Sequence, residues 1–259
     1  MKKLIISAIA ALALVSCGTF NEARLINGGL KAAQAASISN EQIQAYVQQS
    51  VAQLDAQNTV LPATNAYSKR LAKIVKDFNQ IGDTPLNFKV YKTDEVNAFA
   101  CADGSVRVYT GLMDLMNDEE VLGVIGHEIG HVYLQHSLKA YKNALLTSAA
   151  LDAIASTGNV ASVLSDSILG QLGEAMVSAK HSRKQETAAD DFGYDFLKAL
   201  GHNPWHMAYA FEKLLGASSG GSAQASRVAE MFSSHPNTQA RIERVAQKAT
   251  AEGIQKPAR

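Results

Sequence analysis

His127-Glu128-Ile129-Gly130-His131 lies inside the apolar series Val121, Leu122, Val124, Ile125, Ile129 and Val132, which repeats at helical spacing. Four residues apart on a helix means about 40° around its axis, so both imidazoles project from one face. Two imidazoles so placed can donate nitrogen to a single Zn²⁺. Glu128 sits about 60° round from His131, near enough to reach a water at the metal without ligating the ion. That is a metallohydrolase constellation: zinc makes water acidic and a carboxylate takes its proton. The motif alone is moderately specific. Its strongly apolar surroundings argue against a chance surface helix.

A catalytic zinc site needs a third protein ligand and one open position. One route places a third His six residues after His131 and a Gly three residues after it; Ser137 and Leu134 occupy those positions. His136 is off that register and reads as a solvent-facing side chain at the helix end. The other route is a carboxylate from a later helix. Glu186-Thr187-Ala188-Ala189-Asp190 offers one, with Asp190 four residues on and so on the same face. Glu186 would then bind zinc. Asp190 would accept a hydrogen bond from a ligand imidazole and fix its tautomer. Ala188 and Ala189 are small enough to let two helices approach. Taken alone this motif reads equally as a solvated acidic helix face; paired with the upstream one it becomes the favoured assignment.

The elements that must position these groups follow from periodicity and punctuation. Helical spacing recurs over Ser39–Gln57 and Thr64–Phe78. Strand-like runs follow at Leu86–Tyr91, Val96–Cys101 and Ser105–Thr110, with Asp103-Gly104 as a hairpin signal between the last two. Asn117 and Glu120 form a helix-start signature. From there the chain reads almost wholly as helix, with a helical pair over Ala140–Lys180 broken near Gly158-Asn159. Arg183–Leu200 is a helix closed by Gly201, and Pro204 suits the first position of the next. Gly216–Ser222 is a Gly/Ser loop, and a last helix starts near Thr238. The class is α+β, a small sheet inserted among helices. His181, His202 and His206 show no partner pattern and read as structural or exposed.

The 259 residues are 47% hydrophobic and 19% charged, with 24 basic and 24 acidic side chains balancing to zero net charge. Disorder is excluded at that hydrophobicity. No basic block offers a surface for phosphate, so nucleic acid is not expected as a partner. No feature specifies an oligomer. Lys2 and Lys3 before an apolar run from Leu4 to Val15 read as a secretory leader, too short to span a bilayer. Its end, Leu14-Val15-Ser16-Cys17-Gly18, resembles the lipobox of bacterial lipoproteins. Residues 1–16 would be removed, Cys17 acylated (palmitate among the chains) and 17–37 left as a tether to a domain over 38–259. Two or three acyl chains anchor firmly where one does not. Gly18, by the same resemblance, implies the outer membrane, with the protein facing the periplasm. Cys101 would be the remaining thiol, either a buried small hydrophobe or a partner for intermolecular pairing.

His127–His131, Glu186–Asp190, Asn97-Ala98-Phe99-Ala100 and His235-Pro236 with Arg241 together resemble the HtpX-like, CAAX-prenyl-protease type of gluzincin metalloendopeptidase, over roughly residues 38–245. The resemblance implies a mostly helical zincin-type domain with a small antiparallel-edged sheet, and one Zn²⁺ per chain. It implies peptide-bond hydrolysis in polypeptide substrates, misfolded or misassembled cell-envelope proteins among them. Asn97–Ala100 would be an exposed edge strand to which substrate backbone adds. His235 would come near the zinc on a loop, stabilising the oxyanion or capping the metal at rest; otherwise it marks a turn before the last helix, with Pro236 at that helix's first position. Arg241, grouped with the substrate-contacting residues, would touch a carboxylate near the site or lie on a solvated face, and Arg183 reads the same two ways. The rival reading is a non-catalytic zinc-binding lipoprotein acting as a periplasmic chaperone or scaffold, which leaves Glu128 without a purpose. A zinc hydrolase acting on non-peptide substrates also fits the motif.

Overall fold

The computed structural model describes residues 38–147, 165–219, 221–236 and 238–258. The leader, Cys17, the tether and the break near Gly158-Asn159 lie outside them. Two N-terminal helices, α1 (Asn40–Gln57) and α2 (Ala66–Ile74), precede five strands: β1 (Gln80–Ile81), β2 (Thr84–Pro85), β3 (Asn87–Tyr91), β4 (Ala98–Ala100) and β5 (Ser105–Tyr109). Eight further helices are described: α3 (Thr110–Leu115), α4 (Asp118–Tyr133), α5 (His136–Thr147), α6 (Asp166–Val177), α7 (Arg183–Ala199), α8 (Trp205–Ser218), α9 (Ser222–Ser234) and α10 (Thr238–Ala251).

The main sheet has the order β3-β5-β4, with β3 parallel and β4 antiparallel to β5. The hairpin between β4 and β5 turns on Gly104, whose φ of 86° favours glycine; a Cβ there would fall 1.9 Å from the Pro85 carbonyl oxygen. Side chains alternate across this sheet into two apolar cores. Val90, Ala98, Ala100, Val106 and Val108 face a core built on α4, α7, α8 and α10. Tyr91, Phe99, Cys101 and Tyr109 face a second one closed by α1, α5 and α6. The sheet is therefore covered on both faces, and Val90, Tyr91, Val106, Val108 and Tyr109 are all buried in its strands.

α4 is the central helix, begun by a reciprocal cap in which Asn117 Oδ1 accepts from Glu120 N and Glu120 Oε2 accepts from Asn117 N. Ser39 with Gln42 and Ser182 with Gln185 start α1 and α7 in the same way. Gly201, at φ 79°, follows α7. Several boundaries differ from the sequence reading. The helix expected over Thr64–Phe78 stops at Ile74, Pro204 is the N-cap of α8 rather than its first residue, and Pro236 precedes α10 by two. α8 runs through Ser218, so it takes up part of the expected Gly216–Ser222 loop. α3 was not expected, and α9 falls within the helical stretch read from Asn117 onward without being set apart there. α3 is only six residues long, and α9 turns little apolar surface inward, with Val228 and Met231 its buried hydrophobics.

Candidate active site

Two helices far apart in sequence carry the central groups. α4 presents His127 and His131, and α7 presents Glu186 and Asp190, all buried. Glycines bring the helices this close. A Cβ on Gly193 would stand 2.9 Å from His127 N, and one on Gly130 would stand 3.0 Å from the Ala189 carbonyl oxygen. Ala189 is at the contact as expected; the glycines facing it were not singled out in the sequence.

The potential ligand atoms of His127, His131, Glu186 and His235 lie within 4.8 Å of one another. His127 Nε2 is 3.1 Å from both His131 Nε2 and His235 Nδ1. Glu186 Oε1 is 3.4 Å from His131 Nε2 and 3.2 Å from His235 Nδ1. Donor atoms at about 2.05 Å from a tetrahedral ion are about 3.3 Å apart. The donor set is imidazole and carboxylate, and its spacing fits zinc. Beside it Glu128 is buried, and its Oε1 has no hydrogen-bond partner among the described residues, standing 3.5 Å from His235 Nε2. A buried carboxylate oxygen left without a donor is costly unless something supplies one.

Around this centre each group has a counterpart. His127 Nδ1 lies 2.9 Å from Asp190 Oδ1, and His131 Nδ1 lies 3.0 Å from His136 Nδ1. Arg241 from α10 donates Nη2 to Asp190 Oδ1 (2.7 Å) and Nε to Asp190 Oδ2 (2.9 Å), and its Nη1 forms an ion pair with Glu186 Oε2 at 2.7 Å. Its guanidinium also lies 4.2 Å from the Phe211 ring centre. Arg241 is thus buried and engaged by two carboxylates near the site, the first of the two placements expected for it, rather than lying on a solvated face. Burial pushes the Glu186 carboxyl up, but hydrogen bonds with His131 and His235 outweigh it and hold it well below the usual range. Asp190 is also held low: burial raises it, and Arg241 and His127 more than offset that. Burial raises the Glu128 carboxyl, against the pull of His235 and His127. It also keeps the His131 imidazole well below its ordinary value.

Two histidines differ from their sequence reading. His136, expected to face solvent, opens α5 against His131. His181 stacks on the His131 ring at 3.9 Å between centroids, its pKa lowered to about 3 by burial and the neighbouring His235. His202 Nδ1 is 2.7 Å from Glu119 Oε2, away from the site. Arg183 is exposed. Cys101 is a buried free thiol. Asn97 immediately precedes β4, and Ala98, Phe99 and Ala100 form it at the sheet edge. That edge was expected to be open; Asn97–Ala100 are all buried, under α5 and the segment following α6. On the opposite side of Glu128 a small pocket is lined mainly by apolar side chains, including Val124, Phe211, Leu214, Met231 and Phe232.

Residues 62–249 match the family model "Peptidase family M48". The chain is 40% identical to "Metalloprotease LoiP" of Escherichia coli over 255 residues, which is 98% of this chain and 99% of that one. It is 45% identical to "Metalloprotease YcaL" of the same organism over 221 residues, 85% of each. Identity to a "Protease HtpX homolog" of Streptococcus agalactiae is 29% over 170 residues, 54% of this chain and 55% of that one.

Proposed function

The chain belongs to peptidase family M48 and is a zinc-dependent metalloendopeptidase that hydrolyses peptide bonds of polypeptides; from that premise we propose which residues do the work and where. His127, His131 and Glu186 hold the metal. Zinc, when bound, supplies Lewis acidity toward water and the scissile carbonyl. Glu128 takes the proton from the attacking water and passes it to the leaving amine. Asp190 fixes the His127 tautomer through Nδ1. Arg241 clamps Glu186 and Asp190 in place and so acts as a positioning residue. Substrate backbone pairs with β4.

His235 Nδ1 stands 3.1 Å from His127 Nε2 and 3.2 Å from Glu186 Oε1, among the atoms that would hold the metal and where it would compete with water. Of the two roles that the resemblance offers, this spacing favours capping the metal at rest over stabilising the oxyanion. His235→Ala is then expected to raise peptide turnover and the affinity for a zinc-chelating inhibitor. If neither changes, the cap is wrong.

The same proposal covers the chain's organisation: a leader over 1–16, acylation at Cys17, a tether over 17–37 and the peptidase domain over 38–259. It places the enzyme on the outer membrane facing the periplasm, acting on misfolded or misassembled envelope proteins. Among the described residues no helix is long and apolar enough to cross a membrane. The observation that carries the catalytic reading is Glu128 Oε1, buried beside the ligand cluster with no hydrogen-bond partner among the described residues. Casein cleavage by the wild type against Glu128→Gln tests it, with zinc measured in both. Turnover should fall at least a hundredfold with zinc retained; equal cleavage would refute it.

A further inference from the structure

β4 has one paired side and one free side. In an antiparallel ladder, residues that exchange hydrogen bonds with the neighbouring strand alternate with residues that do not. Tyr109 N donates to the Asn97 carbonyl and Cys101 N donates to the Ser105 carbonyl, so Ala98 and Ala100 fall between bonded positions. Their N–H and C=O groups point away from β5. Two of these four groups are already engaged by the chain's own side chains. Ala98 N donates to Asn97 Oδ1 at 2.9 Å, and Ser137 Oγ donates to the Ala100 carbonyl at 2.9 Å.

Ser137 is the second residue of α5. That helix and the chain around the end of α6 lie over the strand, so Ala98–Cys101 share a narrow pocket with Ser137, Ala140, Met176, Val177, Glu128 and His235. α5 is also held from behind. Tyr141, fully buried, has its hydroxyl 3.0 Å from Ser50 Oγ on α1. Leu145 and Leu172 pack into the core formed with α1.

We propose that Ser137 stands in for a substrate amide on β4, so that the resting enzyme keeps its peptide-binding edge closed by α5. An extended segment must displace the Ser137 hydroxyl from the Ala100 carbonyl and shift α5 before its own N–H can bond there. The inference rests on the reading that substrate backbone pairs with β4, and it concerns access to that edge rather than the cap at the metal. A partner that already has its backbone bonded within a fold cannot make this exchange, so unfolded segments are selected.

The test uses the full chain with Cys17→Ser, which leaves Cys101 as its only thiol. Ser137→Ala and Tyr141→Phe are compared with that parent for kcat/KM on an unstructured peptide and for the rate at which a maleimide alkylates Cys101. Removing one neutral hydrogen bond should raise both quantities by about two- to tenfold, with zinc content and melting temperature confirming the fold. An N-methyl scan of the peptide examines the strand reading separately. It should find alternate backbone positions at which methylation abolishes turnover. If neither variant gains activity or labelling while the scan alternates, the closed edge is overturned and strand pairing survives. A flat scan overturns both.

Discussion

Asp55, on α1, ties the second core to the sheet, and replacing it by Ala gives a calculable loss. Its carboxylate accepts from Arg107 Nε (2.8 Å) and Nη2 (3.0 Å), from the Tyr91 hydroxyl (2.7 Å) and from Lys89 Nζ (2.7 Å). Arg107 is only 2% exposed. In Asp55→Ala its guanidinium keeps the Asn87 and Val106 oxygens but loses the one anion paired with it among the described residues. Breaking a buried pair costs about 3–5 kcal/mol; partial exposure of Asp55 favours the lower end, about 3 kcal/mol. For a domain of this size that is a fall in Tm of about 6–12 °C. Burial pushes the Asp55 carboxyl up, yet the bonds from Arg107, Lys89 and Tyr91 outweigh it, so the folded pKa lies below the ordinary value. A depressed acid stabilises above its unfolded pKa of about 3.9 and loses that contribution as pH falls through the folded value. The gap between wild type and Asp55→Ala should therefore be full at pH 7 and shrink below about pH 4. Thermal melts of both proteins across pH 3–7 read this difference, in which contributions from the distant zinc site cancel. A variant melting within a degree of wild type at pH 7, or a gap unchanged at pH 3, would refute the reasoning. Restoration of most of the loss in Asp55→Leu/Arg107→Met would support it, since a buried pair can be replaced by apolar groups at little cost.

Gly193→Ala puts a methyl against backbone atoms of α4, which cannot swing aside, so the two metal-bearing helices must part. It should cost about 1–3 kcal/mol and weaken zinc binding roughly tenfold, as measured by denaturation and competition with a chelating dye. Chelation should lower Tm reversibly. The lost stability should approach about 4 kcal/mol when free zinc had stood a thousandfold above its Kd, and calorimetry with and without added zinc checks it. The stripped protein should still melt cooperatively, because Arg241 continues to compensate Glu186 and Asp190.

The ligand-bearing helices were legible because a four-residue repeat of metal-binding side chains is a local signal that survives without knowing the fold. Glu186 and Asp190 became readable only through that partner. The α4 start was equally plain, since Asn117 and Glu120 satisfy each other within one turn. His136 and His181 were not legible: a single imidazole carries no period, and both meet His131 only once the chain has folded. The closed edge was hidden for the same reason, because the hydroxyl of Ser137 meets a carbonyl 37 residues upstream. Gly126, Gly130 and Gly193 carry no signal of their own in the sequence, and only the facing helix shows what they admit.

His136 and His181 have one further consequence. The chain departs from the centre at the first and comes back at the second, and both rings lean on His131, with centroids 6.2 Å apart from each other. Exit and re-entry are thus neighbours, and closing a longer excursion between neighbouring points costs only slowly growing entropy. α5 and α6 both lie on this excursion, so the segment that covers β4 also supplies Tyr141, Leu145 and Leu172 to the second core, and access to the strand is coupled to the stability of that core.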